Sequence, residues 1–228
     1  MAEPNAVSDL QAVDFSVGGI IVGAYEGLQD DKPQAFARFL ARPAKEKIFR
    51  AENEDPQSLI KRIAQHNQGK NKSVPDLPVV AYYRSPGIVA DQNQKPVVLD
   101  VERYIDGTDR AMRLTSIPVT LSYSLLWCAW DKPTLEKIAL AWFAYVAQRG
   151  RKHSRFVVPY MLGKEPIEIP ASISIPREIQ ADNASPSEQG EGRLWAARAL
   201  VEVNTQVLYG REVKPVDEIT ALGKVRLM

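Results

Sequence analysis

Ile117-Pro-Val-Thr-Leu-Ser-Tyr-Ser-Leu-Leu-Trp-Cys-Ala-Trp130 is the stretch on which the fold turns. Ile117, Val119, Leu121, Tyr123, Leu125 and Trp127 alternate with Thr120, Ser122 and Ser124. Successive side chains of a strand point to opposite sides, so this pattern predicts a strand buried on one face. A helix follows directly. Leu135, Ile138, Ala139, Trp142, Phe143 and Val146 form a single apolar stripe. Asp131 is placed to cap it, Pro133 sits in its first turn and Gly150 is a stop signal. Then comes Arg149-Gly150-Arg151-Lys152-His153-Ser154-Arg155, with no acidic residue inside it. Strand, helix and basic segment describe a scaffold with a candidate contact surface rather than an active site.

The composition bounds the reading. At 228 residues, the chain suits one or two domains with a proper core. Its net charge of +1 supplies no global field toward nucleic acid or membrane, so any charge-driven contact is local. The single cysteine, Cys128, excludes an intrachain disulfide and fits a reducing compartment. The N-terminus lacks the positive region of a signal peptide, and no apolar run approaches the ~18 residues of a membrane span. The expectation is a chain made in the cytoplasm without a membrane anchor.

Working outward, residues 1–35 show no lasting period and read as an extended arm or a loosely packed cap. Ala35 to Leu40 reads as a helical turn ending before Pro43, and Glu46 to Ala51 as a short strand. Asp55-Pro56 opens a helix with Leu59, Ile60 and Ile63 on its apolar edge. Leu77 to Arg84 predicts a strand, Ser85-Pro86-Gly87 a turn, and residues 90–95 a loop. Val97, Leu99, Val101 and Ile105 predict another half-buried strand, ending at the Asp106 to Asp109 turn. Phe156 to Met161 is short and apolar. Ile167 to Ile175 alternates through Pro170, as a strand with a break or at an edge. Residues 180–192 read as a loop. Leu194 to Tyr209 begins with helix-favouring residues, but its alternation is sustained and its second half β-branched, which favours a long strand. Residues 211–228 read as a tail.

Candidate chemistry is sparse. Cys128 and His153 could pair as nucleophile and base, yet a lone cysteine inside a strand is most simply a small buried apolar residue. His66 falls at a polar helix end. There is no paired Cys spacing and no His-x-x-x-His, and the carboxylates at Asp30/Asp31 and Glu52/Glu54/Asp55 lack a calcium-loop pattern. The glycines of Val17 to Gly23 have neither the lysine of a phosphate loop nor a preceding strand. No catalytic, cofactor or metal residues are assigned. In the basic segment, the negative end of the helix dipole accounts for Arg149. Arg151, Lys152 and Arg155 lie beyond the glycine and fit contact with an acidic surface or phosphates. On a nearly neutral protein such a patch acts strongly when several copies are arrayed together. Trp127, Trp142 and Trp195 fall on expected core faces, whereas Trp130 falls opposite, as an interface anchor.

The order of elements resembles the tail terminator (tail sheath stabiliser) proteins of contractile-tailed bacteriophages. The resemblance rests on Pro118 to Leu125 leading into a helix with Ile138 and a basic link. It rests also on a later long strand that follows the 180–192 loop, starts near Arg193 and carries Glu202-Val203-Asn204. Upstream, Ile48-Phe49-Arg50, the helix Leu59 to Ala64 and Leu77-Pro78 fit the same order. It covers roughly residues 45–210.

The resemblance implies an α/β (α+β) subunit whose mixed, largely antiparallel sheet is flanked by helices. It divides the chain into an N-terminal extension (1–40), the body (41–210) and a C-terminal tail (211–228). It implies a non-enzymatic homo-oligomer, a hexameric ring at the head-proximal end of a virion tail. Its partners would be the tail tube protein, the sheath protein and the neck or head–tail connector proteins, with DNA passing through the lumen and no cofactor. The residues expected at interfaces are Arg149, Arg151, Lys152, Arg155, Trp130, Arg193, Glu202 and Asn204, with Leu194 to Tyr209 or Ile167 to Ile175 as the edge strand. The rival readings are a neck adaptor or baseplate protein, a nucleic-acid-binding module built on 149–155, and a small enzyme using Cys128 and His153.

Overall fold

The computed structural model describes residues 5–30, 35–52, 55–67, 76–91, 94–104, 111–148, 154–162, 165–182 and 194–213. Its spine is a pair of strands. The quoted stretch lies inside β5 (Ala111–Ala129), and the ambiguous segment at 194 is β9 (Trp195–Val213). They run antiparallel in unbroken register from Ala111↔Val213 to Ala129↔Trp195. At ~3.3 Å per residue this two-stranded ribbon is about 60 Å long. The β-branched second half of β9 is what a pleated, half-buried position favours, so strand outweighs the helix propensity of its start.

Around the ribbon lie β1 (Asn5–Val7), β2 (Ile48–Arg50), β3 (Val79–Ala90), β4 (Val97–Tyr104), β6 (Arg155–Leu162), β7 (Glu165–Ile173) and β8 (Gln180–Asp182). The main path of the sheet is β2-β3-β5-β9-β7-β6, with β4 on β5 and with β1 and β8 on β9. All pairings are antiparallel except β2 with β3. Four α-helices complete the described residues: α1 (Gln11–Gly23), α2 (Ala35–Ala41), α3 (Pro56–Asn67) and α4 (Lys132–Gln148). The fold is therefore a mixed α+β one, built on a curled and mostly antiparallel sheet. No described helix is long and apolar enough to cross a membrane.

The core follows the sequence pattern. Val119, Leu121, Tyr123, Leu125 and Trp127 of β5 meet Ala197, Ala199, Val201 and Val203 of β9 in the main cluster. Helix α4 covers it with Leu135, Ile138, Ala139, Trp142 and Val146. The Asp131 carboxylate accepts the Thr134 N–H at 2.8 Å, which is the expected cap. Phe143 departs from the stripe and is exposed. The opposite face of β5 is also buried at one end. There Leu126 and Cys128 pack with Val79, Ala81 and Ala196 under Leu59 and Ile63 of α3. A strand covered by helices on both faces loses strict alternation.

Helix α3 begins as expected. Asp55 accepts the N–H groups of Gln57 at 2.9 Å and Ser58 at 3.1 Å, and the Ser58 hydroxyl donates to its other oxygen at 2.5 Å. These bonds from Ser58 hold the Asp55 carboxyl below its ordinary value. Asp55→Ala is expected to cost about 1 kcal/mol at neutral pH. Because the folded-state value is depressed, this contribution is present above the unfolded value, about 3.9, and is lost as pH falls through the folded one. Urea unfolding of the two proteins should therefore converge in acid. A gap that is unchanged from pH 7 down to pH 2 would rule out the cap as its source.

Four expectations are corrected. The N-terminal segment is no extension. Helix α1 places Val13, Val17 and Ile21 at zero exposure in the main core, and its Asp14 is 1% exposed. Asp14 accepts Arg50 Nη2 at 2.6 Å, Arg84 Nε at 3.0 Å and the Tyr123 hydroxyl at 2.6 Å. The helix touches both ends of the sheet path, β2 and β6, and so bridges the two ends of the curl. Gly18 allows this close seating, because a Cβ there would fall 2.4 Å from the Tyr82 hydroxyl. The spacing 13, 17, 21 was masked in the sequence by glycines and by an acid on the buried face.

Second, Ser85-Pro86-Gly87 does not end a strand. It lies within β3, where the register against β5 shifts between Arg84 and Ile88. A bulge absorbs the proline and glycine without breaking the strand. Third, Leu194 to Tyr209 is not an edge, because β9 has β5 on one side and β7, β8 and β1 on the other. The 167–175 strand, β7, also lies inside the path, between β6 and β9, though it meets β9 only at Ser172 and Ile173. Fourth, the boundary at 210/211 falls within β9, which continues to Val213 with Arg211 opposite Asn5. The expected turn at 106–109 lies outside the described residues.

Candidate functional site

Residue parity along β9 builds the surface of interest. Trp195, Ala197, Ala199, Val201, Val203 and Thr205 turn inward, so Leu200, Glu202 and Asn204 turn outward and are exposed. Register carries that side across the sheet. Arg155 of β6 lies opposite Ser172 of β7, Ser172 opposite Asn204 of β9, and Asn204 opposite Thr120 of β5. Directly paired residues point to the same side. Arg155, Ser172, Asn204 and Thr120 thus form one polar row across four strands. The Thr120 hydroxyl donates to Asn204 Oδ1 at 2.7 Å, which fixes the amide. Helix α3 covers only the Leu126–Cys128 end of this face and leaves the row bare.

Gln206, two residues along β9 from the row, accepts the Ser116 hydroxyl through its Oε1. Glu202 lies opposite Ser122 and exchanges main-chain bonds with Ser174. The Ser174 N–H donates to the Glu202 carbonyl at 2.8 Å, and the Glu202 N–H donates to the Ser174 hydroxyl at 2.8 Å. Where β7 splays away from β9, an open wedge of about 440 Å³ forms, lined in part by Arg155, Pro170, Ser172, Asn204, Gln206 and Gln94. The Tyr160 hydroxyl reaches across and donates to the Gln206 carbonyl at 3.2 Å.

The structure thus brings together three of the residues expected at interfaces: Arg155, Glu202 and Asn204 share one sheet face. Trp130 stands apart. It is half-buried and packs against the Leu59–Cys128 cluster, because α3 occupies the side of the sheet to which it points. Arg149, Arg151, Lys152 and Arg193 lie outside the described residues, as does His153. Residues the sequence reading passed over are Ser172, Thr120, Gln206 and Gln94. Each is unremarkable in one dimension; cross-strand register puts Ser172, Thr120 and Gln206 on Arg155's side of the sheet, and Gln94 lines the same wedge from the loop before β4.

Cys128 has no place in this surface. It is fully buried in the second cluster, and burial pushes its thiol up to about 12. Such a thiol stays protonated near neutrality and is a poor nucleophile. Among the described residues, no group of three His, Cys, Asp or Glu side chains is placed to hold a metal ion. The buried Tyr25 and Tyr123 hydroxyls are both raised, first by burial, and both serve the core. Tyr25 accepts Trp127 Nε1 at 3.0 Å, while Tyr123 donates to Asp14.

The bare face can therefore form hydrogen bonds and place one cation, Arg155, at the edge of a rigid polar row. No protein-family model matches the chain, and no curated protein matches it.

Proposed function

We propose that this chain is a structural virion protein that caps the head-proximal end of a contractile phage tail. It acts as a ring that stops the tube, holds the last sheath ring and meets the neck proteins. The observation that carries the reading is the bare polar row Arg155–Ser172–Asn204–Thr120, fixed on a sheet that helices pack from its other side. Assembly needs a rigid body presenting a fixed pattern of donors, acceptors and charge, and polar rows of this kind set register and partner choice more than raw affinity. An open strand edge is also present. Within the described residues, β4 pairs only with β5, and its Val97 and Val98 are exposed. Such an edge can accept a strand from a neighbouring subunit.

In this reading Arg155 belongs to a basic belt completed by Arg149, Arg151 and Lys152. The triple replacement of Arg151, Lys152 and Arg155 by Ala is expected to leave the subunit folded. At roughly 0.5 kcal/mol for each exposed charge, each contact would weaken about tenfold. Capping of tail tubes, followed by electron microscopy and by sedimentation of the mixture, should fall, and its salt dependence should flatten. Capping that is unchanged at low salt would remove the belt from the mechanism. A protein that stays monomeric and ignores tubes at every salt concentration would sink the whole reading.

A further inference from the structure

The sheet path ends at β6. The Ile173 N–H donates to the Ser154 carbonyl at 2.6 Å, so Ser154 and Ile173 form a bonded pair. Bonded and non-bonded pairs alternate along an antiparallel ladder, so the even-numbered residues of β6 bond to β7. The main-chain groups of Arg155, Val157, Pro159 and Met161 therefore point away from β7. Two prolines obey this parity. Pro159 has no N–H for β7 to miss, and Pro170 of β7 lies opposite Val157, at a non-bonded pair. Among the described residues, the outward groups of Arg155, Val157 and Met161 meet no hydrogen-bond partner.

Helix α1 runs beside this edge. Two adjoining depressions, of about 510 and 380 Å³, follow the seam between them and share Ser16. Phe15 and Met161 in the first are 68% and 64% exposed, and Val157 in the second is 50% exposed. The helix keeps the second depression open with Gly19. Gly18, one residue before, is seated against Tyr82, but among the described residues nothing lies within 4 Å of a Cβ added at Gly19. Glycine in a helix interior costs stability relative to alanine, and packing does not require it here. The two ends of the seam also differ in charge. Asp9 lines the depression that holds Met161, and Arg155 lines the one that holds Val157.

We infer that this seam receives an extended segment of a partner protein, added to β6 as a further antiparallel strand. The open main-chain groups supply the bonds, and the apolar trough takes every second side chain. The charge at each end sets the direction. A strand antiparallel to β6 starts beside Met161 and ends beside Arg155. The fitting segment therefore carries a cation at its N-terminal end, for Asp9, and a carboxylate at its C-terminal end, for Arg155. Between them its apolar residues fall on the α1 side, over Gly19 and beside Phe15. The inference does not depend on the virion reading.

The probe is a peptide with blocked termini, Lys-Val-Thr-Val-Thr-Val-Asp, titrated into the isotope-enriched full chain. The amide signals of Arg155, Val157 and Met161 are expected to shift, and the Val157 amide to exchange at least about tenfold more slowly at saturation. Exchanging the lysine and the aspartate of the peptide should weaken binding about tenfold. N-methylation of both threonines, whose N–H groups would face β6, should abolish it. Gly19→Leu fills the trough with a better helix former. It should abolish binding while Tm holds or rises, which separates a blocked site from an unfolded one. No shift at millimolar peptide overturns the inference, as does equal binding of the two charge patterns or binding that survives Gly19→Leu. So do shifts that arise without peptide as the protein is concentrated and its mass doubles, since the occupant would then be a second copy. Tube capping can fail or succeed without altering any of these signals.

Discussion

Replacing Asp14 by alanine will destabilise the protein by about 3 kcal/mol, because it strands two arginines and a tyrosine around an emptied acceptor. Asp14 is buried on α1 and accepts Arg50, Arg84 and the Tyr123 hydroxyl. The weights of the three differ. The Arg50 side chain is 46% exposed, so water screens its pairing and recovers it when the carboxylate goes. The Arg84 side chain is only 20% exposed, and Tyr123 is fully buried, so neither regains a partner cheaply. The gain in helix propensity from alanine offsets only a few tenths of a kcal/mol. For a chain of this length the loss lowers Tm by roughly 6–12 °C, measurable by calorimetry. Combining Asp14→Ala with Arg84→Met should recover part of the loss, since the stranded charge leaves as well. A change below about 1 kcal/mol for Asp14→Ala would show that α1 is held by its apolar face alone.

Trp127→Ala is expected to cost about 3–5 kcal/mol, the range for deleting a large aromatic side chain from a packed core. Trp127 has zero exposure and sits where β5 meets α4, and its Nε1 donates to the Tyr25 hydroxyl at 3.0 Å. That hydroxyl in turn donates to the Ile138 carbonyl at 3.3 Å, so the substitution opens a cavity and loosens a link between α4 and the N-terminal segment. Tyr25 also stands edge-on to Phe39 of α2, with ring centroids 5.0 Å apart. The ring therefore supports three elements at once. Trp127→Phe keeps most of the volume and loses the donor, and should cost about 1–2 kcal/mol. Chemical denaturation reads both. Equal losses for the two variants would mean that the hydrogen bond rather than the volume carries the effect.

Both predictions fall on α1 or on what anchors the N-terminal segment, and this is where the sequence was least legible. The α4 stripe and its Asp131 cap, the Asp55 cap of α3, and the alternation in β5 and β9 were readable because each is local. A period of two or about 3.6 and a side chain placed to bond the next turn need no knowledge of the rest of the chain. Helix α1 defeats that logic. Its buried face carries Asp14 and Gly18 because Arg50, Arg84, Tyr123 and Tyr82, brought from three strands, meet it there. Out of that context, an acid and a glycine argue against burial.

The candidate site divides along the same line. Arg155, Glu202 and Asn204 stood out in the sequence through charge and motif, and parity alone put Glu202 and Asn204 on one face. That Arg155 joins them is a matter of register through β7, over two pairings at Ser172 and Ile173. Trp130 shows the converse. Parity turned it outward, but α3 lies on that side and half-buries it.

Outside the N-terminal segment and the short β8, the sequence by itself determined the kinds of element, most of their limits and which face of the long strands is apolar, because dihedral preference, capping and side-chain period act over a few residues. Only the tertiary structure decided that the N-terminal segment bridges the curled sheet, that β9 is interior and that, among the described residues, β2 and β6 end the sheet path. Strand neighbours are chosen by contacts between residues far apart in the chain, and no local pattern records which ones will meet.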